Sequence, residues 1–291
     1  MSTNAEKMII LATRASVLVA MILLSVKLYA WFVTGSMGVL AALVDSLLDL
    51  GASLINMFAV RYALEPADEE HRFGHGKAEA LAGLGQSMFI ASSAIFLVMY
   101  SIERMVNPEL IESPEVGLWV MSFSMLLTLV LVMYQRYVVS VTGSIAIKVD
   151  SLHYVTDLLS NFGIIIGLGL YYMGWLYSDP VIAMLIGAYI FKCAIKIAYD
   201  SIQLLLDREL PEDEQEEICV LASALPGVIE AHDIRTRQSG QTKFIQLHLV
   251  MDGNITLLEA HHITEQVHDS IKAVFPQSDI LIHQDPHTER E

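Results

Sequence analysis

Six stretches of this chain, at about 8–33, 37–62, 79–106, 116–138, 144–173 and 179–206, are apolar for long enough to cross a bilayer. A helical span needs about 20 such residues, and backbone in hydrocarbon must satisfy its own hydrogen bonds, so the pattern predicts a membrane bundle of helices. The bulk composition agrees. Hydrophobic residues make up 54% of the 291, charged residues 17%, and the mean hydropathy is +0.51, values out of keeping with a water-soluble chain of this length. The first run is too long for a signal peptide and no small-residue cleavage motif follows it, so it is expected to remain as a span.

Near Arg208 the pattern changes to short alternating apolar stretches, charged helical repeats and Pro/Gly punctuation. Period and punctuation predict a helix at 212–224, strands at 228–238 and 243–251 joined around Ser239 and Gly240, a helix at 257–275 and a strand at 279–284. The expected fold is therefore an all-α six-helix transmembrane domain, residues 1–207, followed by a soluble α+β domain of αββαβ order, residues 208–291. Much of the formal net charge of -16 lies in that tail. It should repel nucleic acid and anionic lipid surfaces, and it suits cations.

Lys and Arg in short loops stay on the cytoplasmic side of a membrane. Arg61, Arg72 and Lys77 flank the second connection, Arg136 and Lys148 the fourth, and Arg208 follows the sixth span, whereas the odd connections offer only Arg104. Both termini and the tail are thus expected in the cytoplasm. Cys193 and Cys219 are too few and too far apart for a disulfide framework or a thiolate zinc cluster.

Against this apolar background stand two pairs of metal-binding residues: Asp45 and Asp49 in AALVDSLLDLGAS, and His153 and Asp157 in VDSLHYVTDLLSN. Each pair is spaced i, i+4, so on a helix its two side chains share one face. Carboxylates in hydrocarbon cost roughly 2.5 to 3.5 kcal/mol each on insertion scales and mark ion or proton pathways. At about 1.5 Å of rise per residue, both pairs fall near the middle of their spans. Three carboxylates and an imidazole on two neighbouring helices could give Zn²⁺ its four tetrahedral ligands. Pairing of each Asp with Lys27, Lys192 or Lys196 is the plain alternative, but three lysines spread over two other spans do not explain two matched pairs.

The chain resembles the cation diffusion facilitators, and among them bacterial exporters of zinc and ferrous iron, over nearly its whole length. In that family the second and fifth spans carry Asp-x-x-x-Asp and His-x-x-x-Asp, which fall here on Asp45, Asp49, His153 and Asp157. The resemblance implies a metallochaperone-like cytoplasmic domain, homodimerisation through it, and transport of Zn²⁺, with Cd²⁺, Fe²⁺ and Mn²⁺ also open. Zinc-restricted relatives often carry His where this chain has Asp45. The resemblance also assigns a loop metal site to Asp68, His71 and His75 in PADEEHRFGHGKAEA, where three ligands within eight residues can close on one ion.

In the tail, His283 and Asp285 share a strand face by the two-residue period, and His248 projects from the neighbouring apolar strand, so they can converge. For the set His232, His248, His261, His283 and Asp285 the resemblance implies a two-metal site bridged by Asp285. His262, His268 and His287 read as ordinary surface. Lys77 and Asp207 both fall near the cytoplasmic membrane face, and the resemblance favours an interlock tying the third and sixth spans across subunits. An exposed pair worth about 0 to 1 kcal/mol is the competing reading.

The mechanism these residues suggest is antiport. Metal and protons compete for the same lone pairs, because a ligand must be deprotonated to bind metal, and an imidazole titrates near physiological pH. No cofactor is expected; the metal is cargo and regulator. Two readings from other classes remain. An intramembrane metallohydrolase would want a base or an H-E-x-x-H motif, which the chain lacks. A membrane metal sensor signalling through the tail would need no deprotonatable site at the bilayer centre.

Overall fold

The computed structural model describes residues 2–34, 37–106, 114–172 and 178–287. Six long helices come first: α1 (Ser2–Thr34), α2 (Met37–Ala63), α3 (Lys77–Val106), α4 (Pro114–Thr142), α5 (Ile145–Tyr172) and α6 (Ser178–Leu205). Then follow α7 (Glu212–Ser223), β1 (Glu230–Ser239), β2 (Thr242–Asp252), α8 (Leu257–Val274) and β3 (Ser278–His287). Among the described residues, four helical stretches are long and apolar enough to cross a membrane by length and composition: Asn4–Val33, Lys77–Glu103, Ser122–Thr142 and Pro180–Leu205. The α2 and α5 helices are not among those four.

The chain divides into two compact units, Met1–Pro66 with Ala78–Ile202, and Ala67–Lys77 with Gln203–Glu291. A single cut in the sequence near Arg208 does not separate them, because the loop between α2 and α3 belongs with the tail.

In the first unit, α5 is shared between two packing groups. On one side Ile9 and Ala12 of α1, Val60 of α2 and Val138 of α4 enclose Ala146 and Ile147, and further along Val19, Leu23, Leu131 and Val132 surround Tyr154. On the other, Ile90 and Ala94 of α3 and Ile190, Ala194 and Ile197 of α6 close over Val149. Large apolar side chains such as Phe32, Phe58, Phe96 and Trp119 stand exposed on the outer faces. That is the inverse of a water-soluble bundle and fits hydrocarbon as the solvent.

The start of α5 is fixed with particular care. Gly143, at φ 66, adopts the left-handed conformation that ends α4, and its N–H reaches the Val139 carbonyl at 2.8 Å. Ser144 then caps α5, its hydroxyl oxygen accepting the Ile147 N–H at 3.3 Å. A carboxylate from α3 completes the cap: Glu79 Oε1 accepts the Ser144 hydroxyl at 2.5 Å and the Ala146 N–H at 3.0 Å, and it is buried.

In the second unit the strand order is β1-β2-β3, with β1 and β2 antiparallel and β2 and β3 parallel. Ile245, Leu247, Leu249 and Met251 of the central strand alternate onto one face and pack on Ile218 and Ala222 of α7 and Val267 and Ile271 of α8. Gln246 and His248 therefore face the other way. A capping box starts α8, with Thr256 accepting the Glu259 N–H and the Glu259 carboxylate accepting the Thr256 N–H. The α2–α3 loop packs here through Phe73, whose ring meets Phe244 edge-on at 5.7 Å while the Arg237 guanidinium lies over both rings at 5.0 and 4.8 Å.

Candidate metal centre

Three clusters bring metal-binding atoms within 4.8 Å of one another among the described residues: Asp49, His153 and Asp157; Asp68, His71 and His75; and His232, His248 and Asp285. They differ in what holds them.

The first lies between α2 and α5. His153 Nε2 stands 3.0 Å from Asp49 Oδ1, and both residues are buried in the apolar unit. Asp157, one turn further along α5, is half-buried. Phe89 of α3 closes one side with its ring 6.4 Å from the imidazole. Asp45, one turn from Asp49 on α2, is exposed and outside the close group. Lys27 of α1 donates to Ser46 at 2.6 Å, and Lys192 and Lys196 are exposed on α6.

The second cluster is made by a local turn. Asp68 Oδ1 accepts the N–H groups of His71 and Glu70 at 2.6 and 3.0 Å, and these bonds, that from His71 foremost, hold the carboxyl below its ordinary range. Gly74, at φ 78, donates to the His71 carbonyl and turns the chain so that His75 comes back on Asp68. The two imidazoles then flank one carboxylate, at 3.5 Å for His71 and 3.4 Å for His75. His75 is buried and the other two are exposed.

The third is a consequence of strand register. His232 pairs with His248 across β1 and β2, and His248 with His283 across β2 and β3, so three imidazoles stand in a row over the sheet. Asp285, two residues beyond His283, reaches along that row: its Oδ2 is 2.8 Å from His248 Nδ1 and 3.7 Å from His232 Nε2, and its Oδ1 is 3.3 Å from His283 Nε2. A carboxylate with each oxygen turned to a different imidazole has the form of a bridging ligand. The bond from His248 is the main cause holding the Asp285 carboxyl below its ordinary range. A bulge between His232 and Arg235 puts Asp233 at φ 46, with its Oδ2 3.8 Å from His248 Nε2. His261 lies on α8 beside His262, outside the close group.

Lys77 Nζ stands 3.0 Å from Asp207 Oδ1 within one chain, each side chain about 40% exposed, and Arg237 approaches the other Asp207 oxygen at 3.5 Å. Sequence reasoning missed Asp233, since a bulge is not legible in a strand pattern. It also missed Asp150, buried one turn from His153, although an acid at that spacing in an apolar run was there to be seen.

A family model described as the cation efflux transmembrane domain matches residues 13–206, and one described as the cation efflux protein cytoplasmic domain matches 210–287. The chain belongs to the cation efflux, or cation diffusion facilitator, family. Its relatives are named as pumps rather than enzymes. The cation-efflux pump FieF of Yersinia enterocolitica serotype O:8 / biotype 1B is 51% identical over 94% of this chain and 92% of its own length. FieF of Klebsiella pneumoniae subsp. pneumoniae is 48% identical over 98% and 95%. Among solved structures, CzrB in its zinc form is 31% identical, covers 29% of this chain and 98% of its own, and has a TM-score of 0.27. The facilitator family is a membrane family, and the apolar helices agree with that assignment.

Proposed function

We propose that this facilitator is a divalent cation:proton antiporter that exports zinc from the cytoplasm, with cadmium, ferrous iron and manganese as further candidate substrates. The observation that carries the reading is the buried Asp49 and His153 pair with Asp157 beside it, set between two otherwise apolar helices. Asp45 supplies the fourth ligand when an ion draws the site together. Three carboxylates and a neutral imidazole carry a formal charge of -3, which Zn²⁺ reduces to -1. The loaded or the protonated site is then less costly to carry through alternating access than the bare one, because uncompensated charge is what hydrocarbon penalises. Protons entering from a more acidic exterior displace the metal from the same lone pairs.

In this reading residues 1–207 form the transport domain, with α2 and α5 as the second and fifth of six spans, and residues 208–291 form a cytoplasmic metal-binding and dimerisation domain. The protein is a homodimer in the bacterial inner membrane with both termini in the cytoplasm. The loop and tail clusters are regulatory, the tail holding two ions through His232, His248, His261, His283 and the Asp285 bridge. Tail metal stabilises one arrangement of the dimer and so biases transport. Lys77 and Asp207, 3.0 Å apart within one chain, tie the start of the third span to the end of the sixth; the interlock across subunits that the resemblance favours would need this pair to exchange partners. A sensor without transport predicts no flux, so the deciding experiment is zinc flux in sealed vesicles that hold only this protein under an imposed pH gradient. Flux that ignores the gradient would remove the antiport; no flux at all would remove the transporter.

A further inference from the structure

A second polar contact joins α2 and α5 beside the metal pair. Tyr154 follows His153 on α5, and Ser53 is one turn beyond Asp49 on α2. The Tyr154 hydroxyl stands 2.9 Å from Ser53 Oγ and 3.2 Å from the Ser16 carbonyl. A phenol has one proton, which goes to the carbonyl, so Ser53 is the donor to Tyr154. Two rungs thus cross from α5 to α2: His153 to Asp49 and Tyr154 to Ser53.

The second rung is anchored where the first is not. Ser16 of α1 donates to Asp150 Oδ2 at 2.6 Å, and Gln135 of α4 donates to the same oxygen at 2.7 Å and to Ser16 Oγ at 2.9 Å. These three residues are buried, as are Tyr154 and Ser53. Asp150 and Tyr154, four residues apart on one face of α5, therefore both grip Ser16, one by its hydroxyl and the other by its carbonyl. The helix bearing His153 and Asp157 is locked to α1 and α4, and Ser53 ties α2, which packs along α1, to the same frame at the level of the metal pair.

From this frame we infer that Tyr154 and Ser53 are specificity-determining residues: their bond fixes the α2–α5 separation at the metal pair and so sets the size of ion the pair will close on. The inference rests on the transport-site reading above and deepens it. Zn²⁺ requires short bonds of about 2.0 to 2.2 Å in a tight tetrahedron, and a larger ion such as Cd²⁺ suffers less from a slack frame. Neither residue is a ligand, so its loss acts through spacing alone. Tyr154→Phe keeps the ring that packs among Val19, Leu23, Leu131 and Val132, and removes only the hydroxyl.

The test is equilibrium binding of Zn²⁺ against Cd²⁺ to the full chain in detergent, in a background where Asp68→Ala and Asp285→Ala silence the loop and tail clusters. The Zn²⁺:Cd²⁺ affinity ratio is expected to fall about three- to tenfold in Tyr154→Phe and in Ser53→Ala, the span of one buried hydrogen bond written as an equilibrium constant. The double variant should fall no further than Tyr154→Phe alone, which already breaks the Ser53 contact together with the bond to the Ser16 carbonyl. Ser53→Thr, which keeps a hydroxyl, should restore the ratio. Equal weakening of both ions, or an unchanged ratio, overturns the inference, as does zinc binding that does not need Asp157. Zinc bound through Asp157, with the expected ratio shift but no flux in vesicles, would remove the transport reading and leave this assignment standing.

Discussion

The cluster between α2 and α5 and the cluster on the tail sheet use the same side chains, carboxylate and imidazole, and solve opposite problems. Between α2 and α5, Asp49 and His153 are buried among apolar neighbours, where an unbalanced charge is expensive, so the cluster asks for a counter-ion or protons. On the sheet the imidazoles and Asp285 are at least partly exposed, and water reaches them. Under the proposed function, the first arrangement couples metal to protons because its bare charge is costly. The second would fill and empty with metal at little cost to the fold, as the proposed regulatory site needs.

That contrast is broken most directly by removing a buried ligand. Asp49→Ala or Asp157→Ala should lower zinc flux to the level of empty vesicles while the protein still inserts and dimerises; flux near the parental rate in both would dissolve the distinction. Removing the bridge on the sheet is a milder insult. For Asp285→Ala, transport at saturating zinc should persist, and any zinc-dependent change in the distance between the two tails, read by a pair of spin or fluorescent labels, should vanish. A complete loss of flux would put the tail in the pathway.

Asp45 sharpens the comparison from within the α2–α5 site, since it is exposed while Asp49 and His153 are buried. Asp45→His should leave flux measurable and raise the preference for zinc over cadmium several-fold in competitive uptake, and a constant ratio would place selectivity elsewhere. The smallest effect belongs to the tail fold itself. The Thr256 N–H, then its hydroxyl, hold the Glu259 carboxyl below its ordinary range. Its cap is thus at full strength above the unfolded value of about 4.3 and lost as pH falls through the lower folded value. Hydrogen exchange in the first turn of α8 should quicken in that acidic window, and Thr256→Ala should produce the same change at neutral pH, for a cap worth about 1 kcal/mol.

What the sequence made legible was whatever repeats with the period of its own element. The i, i+4 pairs marked Asp49, His153 and Asp157 because helical period puts them on one face, and the alternation of β2 marked His248 as turned away from Leu247 and Leu249. Contacts between elements distant in sequence left no such trace. Nothing in PADEEHRFGHGKAEA says that Phe73 packs against Phe244, since that depends on where a strand 171 residues later presents its ring. The Asp150, Ser16 and Gln135 triangle was hidden for the same reason. Element ends also moved: α1 begins at Ser2, before the apolar run, and α4 continues to Thr142 because its stop is Gly143 rather than the end of its hydrophobic stretch.

The carboxylate of Glu79 at the head of α5 has a mechanical consequence. Drawing α5 along its axis would strip a buried anion of the hydroxyl and amide protons that neutralise it, so the joint resists being pulled apart. In the proposed alternating-access cycle, a shift of α5 that turns His153 and Asp157 towards the other side would take the first turn of α3 along, and Phe89, on that same helix, would move with the imidazole it touches.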